Sequence, residues 1–279
     1  MSKLLRANMM RLWKDKIFRF CFLLMTVWGI VLRIGISMDD LEKHYLEETF
    51  WIQAFFIGII LAVFVSLFVG AEYSEGTIRN KIISGHTRFD VYLSNVFVCM
   101  IAGWLMCLGC LATSLLVGIP TLGFFHMELW EVFMTGICVF ALCAAYAAIY
   151  CCIVMLCASR AVTVGICTVL AFLMLFAGTA VSNQLEESEY YYIPDPTLAQ
   201  GEIDDGSNAE WVRNPNYPDA SERDFYEKLL GFLPGGQSLQ LSGMLDVSSD
   251  YTEMLFASCA WVLLSAGCGL ILFRKKDLK

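Results

Sequence analysis

The fold class this sequence predicts is an all-α polytopic membrane protein with six transmembrane helices and cytoplasmic N- and C-termini. Three observations predict it. Of 279 residues, 58% are apolar and 16% charged, and mean hydropathy is +0.62, whereas soluble domains average about a quarter charged. The apolar residues are gathered into six blocks, each near the roughly 20 residues a helix needs to cross a hydrocarbon core about 30 Å thick. Lysine and arginine gather in the segments that an even number of crossings places on one side. Helices rather than a barrel follow because each span must satisfy its own backbone polar groups, and no period-2 alternation is present.

The elements follow in chain order. Residues 1–16 are too short to span but amphipathic: Leu5, Met9, Leu12, Trp13 and Lys16 fall near helical spacing, with Lys3, Arg6 and Lys14 around them. That pattern predicts an interfacial helix with its basic face toward anionic head groups; the alternative is a basic flank that only sets topology. Span 1 covers 17–36 and is read as retained rather than cleaved, because the apolar run is full length and no small-x-small site follows it. Spans 2, 3, 4, 5 and 6 cover 50–71, 96–119, 132–156, 162–181 and 254–273, rich in Leu, Ile, Val and Phe. Between spans 2 and 3 lies a loop, 72–95. Between spans 5 and 6 lies the one large exterior loop, 182–253, acidic and punctuated by Pro194, Pro196, Gly201, Gly206, Pro215 and Pro218. Its first part, 182–221, reads as irregular chain. Helical spacing returns from Glu222 to Leu233, Pro234-Gly235-Gly236 reads as a stop, and a second short amphipathic stretch runs from Gln237 to Leu245. A basic tail, 274–279, closes the chain.

Orientation follows from charge. Lys3, Arg6, Arg11, Lys14, Lys16 and Arg19, then Arg79, Lys81 and Arg88, then Arg160, then Arg274, Lys275, Lys276 and Lys279 all fall on one side, the cytoplasm by the positive-inside rule. Asp39, Asp40, Glu42, Glu47, Glu48, Glu128, Glu131 and the acidic loop fall on the other. The net charge of −8 therefore belongs to the outer side and points to no nucleic-acid partner.

Twelve cysteines would suggest a disulfide framework if they lay in the exterior loop, but all lie in or at the edge of apolar spans. They are read as small buried hydrophobes, and the Cys107/Cys110 spacing lacks a second metal half-site. Spans 3–6 carry no ionisable residue in their interiors. Arg19 and Arg33 lie near the two ends of span 1, where long side chains snorkel, and Gln53 lies near the outer edge of span 2. A gradient-driven carrier needs midplane carboxylates or broken helices, and His44, His86 and His126 are too dispersed for a catalytic constellation. The chain also lacks Gly-x-x-x-x-Gly-Lys-Ser/Thr. Work done by it would have to come from another subunit.

The most specific stretch is Glu72-Tyr73-Ser74-Glu75-Gly76-Thr77-Ile78-Arg79-Asn80-Lys81-Ile82-Ile83-Ser84-Gly85, followed by Arg88 and Tyr92. Glu75 and Arg79 have i,i+4 spacing, and Ile78, Ile82 and Ile83 make a narrow apolar face. This is a short helix under the bilayer, suited either to a push-rod contact with a cytosolic protein or simply to covering the base of the bundle. The stretch, its place between spans 2 and 3, the basic tail Phe273-Arg274-Lys275-Lys276-Asp277 and Leu233-Pro234-Gly235-Gly236-Gln237 before the last span together resemble the permease subunit of type-2 ABC exporters. The resemblance implies a half-transporter pairing with two ATP-binding cassette subunits and a second permease chain, identical or related. ATP and Mg would sit on the partner subunit, with no cofactor bound directly. It further implies that Glu72, Glu75, Gly76, Thr77, Ile78, Arg79, Asn80, Lys81 and Arg88 contact the ATPase as a coupling helix. Residues 1–16 would be an elbow helix among membrane lipids, and Leu233, Pro234 and Gln237 part of an exterior gate. The long acidic exterior loop departs from minimal members. The substrate class expected from apolar, aromatic and Met-rich spans is amphipathic: a peptide, antibiotic or lipid-like molecule, exported across a bacterial plasma membrane. The reading from another class is a non-transporting sensor or scaffold whose exterior loop binds a ligand.

Overall fold

A computed structural model of the chain describes residues 1–37, 45–157, 159–193, 210–245 and 250–276. The calls on Asp39, Asp40 and Glu42 lie outside them, as do Pro194, Pro196, Gly201, Gly206 and Asp277. Six of the described helices are long and apolar enough to cross a membrane. The chain is a multi-pass α-helical membrane protein.

Helix α1 (Ser2–Lys14) lies against the bundle and ends at Asp15, whose backbone is extended. The Asp15 carboxylate accepts from the amides of Ile17 (2.8 Å) and Phe18 (2.9 Å), so one residue both separates α1 from the first span and satisfies two orphan amides of the next helix. That span is α2 (Lys16–Ser37). The inward stripe of α1 is Leu4, Asn8 and Leu12, with Leu5 and Met9 half-buried beside it, while Trp13 faces outward. The expected apolar face is thus rotated, and it carries a polar residue at its centre.

A five-residue helix, α3 (Leu46–Phe50), precedes the second span, α4 (Gln53–Ser74). The loop to the third span holds α5 (Thr77–Ile83). The third span is part of the long α6 (Arg88–Leu122), capped by the Thr87 hydroxyl accepting from the Asp90 amide. Then come α7 (Leu129–Leu156) and α8 (Arg160–Glu186).

Helix α7 occupies the centre, packed on α4, α6 and α11 (Tyr251–Lys275). Small side chains allow this. Ala144, Ala145, Ala147, Ala148 and Cys151 are buried on α7, and a side chain added at Gly103 of α6 would lie 2.5 Å from the Cys143 sulfur. Helix α2 packs on α6, and α8 packs on α4 and on the short helix Pro234–Leu241. The outer faces of α2, α8 and α11 expose Phe20, Leu23, Val31, Phe172, Phe176, Leu263 and Ile271, as helices bathed in lipid do. All twelve cysteines are free, and Cys259 and Cys268 are exposed on α11 rather than packed.

One expectation about the exterior loop changes and another is extended. Tyr190–Ile193 and Glu210–Arg213 pair as an antiparallel hairpin, β1 and β2, with Tyr191 opposite Val212 and Tyr192 opposite Trp211. Aromatic and β-branched residues favour strands, and that preference outweighs the surrounding prolines and glycines. The next helix, α9 (Ala220–Phe232), opens with a capping box of Asp219 and Glu222. That helix ends just before Pro234, as expected, but Pro234 also begins the next one: it is the first residue of α10 (Pro234–Leu241), a position where its missing N–H costs nothing.

Arg33 also departs from expectation. It does not snorkel: it is fully buried, and its Nη2 donates to the Thr49 carbonyl at 2.5 Å. Gln53 lies at the outer end of its span, as expected, as the first residue of α4, and is fully buried there, its Oε1 accepting weakly from the Cys110 thiol.

Candidate functional site

The motif between the second and third spans forms a compact unit at the end of the bundle that carries the basic residues. It starts where α4 stops. Glu75 caps that helix, and Gly76 turns the chain at φ +67, a left-handed conformation that a side chain would strain by roughly 1–2 kcal/mol. Glu75 therefore lies before the turn rather than on α5, so the expected i,i+4 face with Arg79 is not formed. The Thr77 hydroxyl donates back to the Glu72 carbonyl at 3.1 Å, tying the first residue of α5 to the last turn of α4.

Helix α5 has two faces. Ile78 is buried and Ile82 half-buried against the bundle. Glu75, Arg79 and Asn80 are exposed, and Ile83, expected to share one apolar face with Ile78 and Ile82, is instead 73% exposed beside them. The outward surface therefore combines a cation, an amide and a large apolar side chain. Gly85, at φ +93, ends the unit before α6 begins.

Behind this surface lies a buried polar ring that the sequence did not reveal. Glu72 is fully buried in the last turns of α4. Its Oε1 accepts from Arg11 Nη1 of α1 at 2.5 Å and from Lys81 Nζ of α5. Its Oε2 accepts from Asn95 Nδ2 of α6 at 2.9 Å. Lys81 also donates to Asn8 Oδ1 at 3.0 Å, and Asn8 Nδ2 donates to Asn95 Oδ1 at 2.9 Å and to Ser94 Oγ at 3.1 Å. Glu72, Lys81, Asn8 and Asn95 thus close a circuit drawn from four helices. Arg11 completes it, its Nη2 donating to the Phe68 carbonyl and its guanidinium lying 4.3 Å over the Phe68 ring. A carboxylate taken out of water is tolerated only when charge and hydrogen bonds both compensate it, and here both do. Glu72 and Lys81, grouped by sequence with a surface contact, are instead the groups that seat α5 on the bundle.

Arg88 has a different task from the rest of the motif. Its Nη1 donates to the carbonyls of Phe273 and Arg274, both at 3.1 Å, and to that of Lys276. These are orphan acceptors at the end of α11, where a cation is favoured. Lys276 in turn reaches the Tyr73 hydroxyl (3.2 Å) and the Met155 carbonyl (3.1 Å), and burial lowers its pKa from the ordinary lysine value. Tyr92 packs on Gly269 of α11 and donates to the Ser265 carbonyl at 3.3 Å.

At the opposite end, Leu233 joins α9 to α10, and Pro234 and Gln237 lie on α10, which is buried along its whole length. Gln237 Nε2 donates to the Gly231 carbonyl (2.7 Å) and the Met254 carbonyl (3.1 Å), and its Oε1 accepts from the Ser258 hydroxyl at 2.7 Å. Ser238 and Tyr146 of α7 share a 2.8 Å hydrogen bond. These three expected gate residues are brought together, some distance along the bundle from the α5 unit.

Signals for the missed part were present but easily discounted. Glu72 sits directly at the end of an apolar block and Asn8 in the middle of the Leu4–Leu12 stripe, positions where a polar residue needs a partner. Among the described residues no group of three or more His, Cys, Asp or Glu is placed to hold a metal ion. No family model matches this chain, and no curated protein matches it.

Proposed function

We propose that this chain is the membrane-spanning subunit of an ATP-driven exporter, working with two ATP-binding cassette subunits and a second permease chain. The partner subunits would hold ATP and Mg. The cargo would be amphipathic (a peptide, an antibiotic or a lipid-like molecule) and the setting a bacterial plasma membrane, with the basic end in the cytoplasm.

One observation carries the reading. Helix α5 offers Arg79, Asn80 and Ile83 to a partner while Ile78, Lys81 and the Glu72 circuit fix it to α1, α4 and α6. A helix exposed on one side and bonded to three neighbours on the other transmits a push instead of absorbing it. Packed bundles respond to such a push by switching between discrete packings. The sensor or scaffold reading draws on a cleft of about 460 Å³ between α8 and the exterior hairpin, lined by Glu186, Glu187, Tyr191 and Asn214 among others. It offers no role for the exposed face of α5, and it requires that no ATPase accompany the chain.

Purification of the tagged chain in mild detergent is expected to bring an ATP-binding subunit with it. Arg79→Glu, on the exposed face, is expected to leave insertion intact and abolish transport in the reconstituted complex. Substrate-stimulated ATP hydrolysis unchanged by that charge reversal would sink the proposal.

A further inference from the structure

A groove of about 530 Å³ runs between the first turn of α6 and the last turns of α11, lined by Thr87, Arg88, Phe89, Leu270, Ile271 and Arg274. Its walls are apolar and open: Phe89 is 55% and Ile271 61% exposed. Its rim is cationic. Arg88 is pinned there by its bonds to the α11 carbonyls, whereas the Arg274 and Lys275 side chains stand exposed. The other charged groups nearby are engaged elsewhere. Lys276 turns inward to Tyr73 and Met155. Asp90 accepts from the Thr87 hydroxyl at 3.0 Å and lies 3.7 Å from the Met1 amino group.

We infer that this groove holds one anionic phospholipid, its phosphate against Arg274 and its acyl chain along Phe89, Leu270 and Ile271. The groove lies where two membrane-spanning helices reach the end that bears the positive charge, so an apolar slot sits beneath two or three cations at the bilayer boundary. An amphiphile with a negative head is the one molecule abundant there that matches both halves. A phosphatidylcholine fills the slot equally well but brings no net charge to the rim. Each rim cation near an anionic head group contributes about 1 kcal/mol, so losing one weakens binding about fivefold. The inference does not depend on the transport reading, since a sensor or scaffold would carry the same site.

The test is native mass spectrometry of the full chain released from detergent micelles and titrated with phosphatidylglycerol or phosphatidylcholine of matched chains. Arg274→Gln removes the rim charge without touching the backbone carbonyl that Arg88 holds, and Arg274→Lys restores the charge. The expected result is tighter binding of phosphatidylglycerol than of phosphatidylcholine, weakened about fivefold by Arg274→Gln and kept by Arg274→Lys. Equal occupancy by the two lipids, or an unchanged phosphatidylglycerol adduct in monodisperse Arg274→Gln protein, overturns it.

Discussion

Glu72 is the residue on which the basic end of the molecule is organised. Its three partners in the polar cluster, Arg11, Lys81 and Asn95, come from three other helices, two of them more than 20 residues away in sequence. Removing it strands two cations, Arg11 and Lys81, beside a buried amide pair, whereas removing Lys81 leaves Glu72 still paired with Arg11. Glu72→Ala is therefore expected to cost about 3 kcal/mol or more, and Lys81→Met distinctly less. Thermal unfolding of the detergent-solubilised proteins measures both, and equal midpoints for the two variants would contradict this ordering. The legibility of the site divides along the same line. Arg79 and Asn80 were readable as a surface contact because a short helix with charged and apolar sides announces itself. The circuit was not, because it needs the fold to bring Asn8 within bonding distance of Asn95, and no local pattern encodes that distance. Arg33 was misread for a related reason: position along a span predicts snorkelling, but the carbonyl that binds it belongs to α3.

At the scale of elements, α8 contains its own control. Gly178 lies where α10 crosses, and a side chain there would come within 2.6 Å of the Gly236 nitrogen and 2.7 Å of the Gly235 carbonyl carbon. Gly165, on the same helix, meets nothing within 4 Å. Gly178→Ala is expected to destabilise by about 1–3 kcal/mol because backbone has to move. Gly165→Ala is expected to be neutral or to stabilise by up to about 1 kcal/mol through helix propensity. A lowered thermal midpoint for Gly178→Ala with an unchanged or raised one for Gly165→Ala would bear this out, and matching shifts would refute it. The same crossing explains why Pro234-Gly235-Gly236 reads only as a stop in the sequence: α9 does end before it, but the glycines also serve close approach within α10. The long spans were legible because length and hydropathy suffice to define them. The hairpin was not, since its two strands are separated by 16 residues and prolines dominate the local pattern.

For the whole molecule, the six-span layout places α5 and the exterior hairpin at opposite ends. Cysteine introduced as Arg79→Cys is expected to react with a membrane-impermeant maleimide only from the basic side, and Glu187→Cys only from the other. Labelling of both from one side of sealed vesicles would require a different number of crossings. The native thiols interfere little, since most are buried and Cys259 and Cys268 lie on the apolar outer face of α11.

Helix α6 has 35 residues, about 52 Å of rise, against a hydrocarbon layer of about 30 Å. Some 20 Å of it must therefore stand in head groups and water unless the helix leans steeply. Much of that surplus lies at the Arg88 end, where Ser94 and Asn95 hold α1 and the Glu72 circuit and Arg88 holds the foot of α11. The helix works as a mast stepped through the deck: the fittings below the waterline hang from the same spar that runs among the other spans, so a tilt imposed at its heel is felt along its full height.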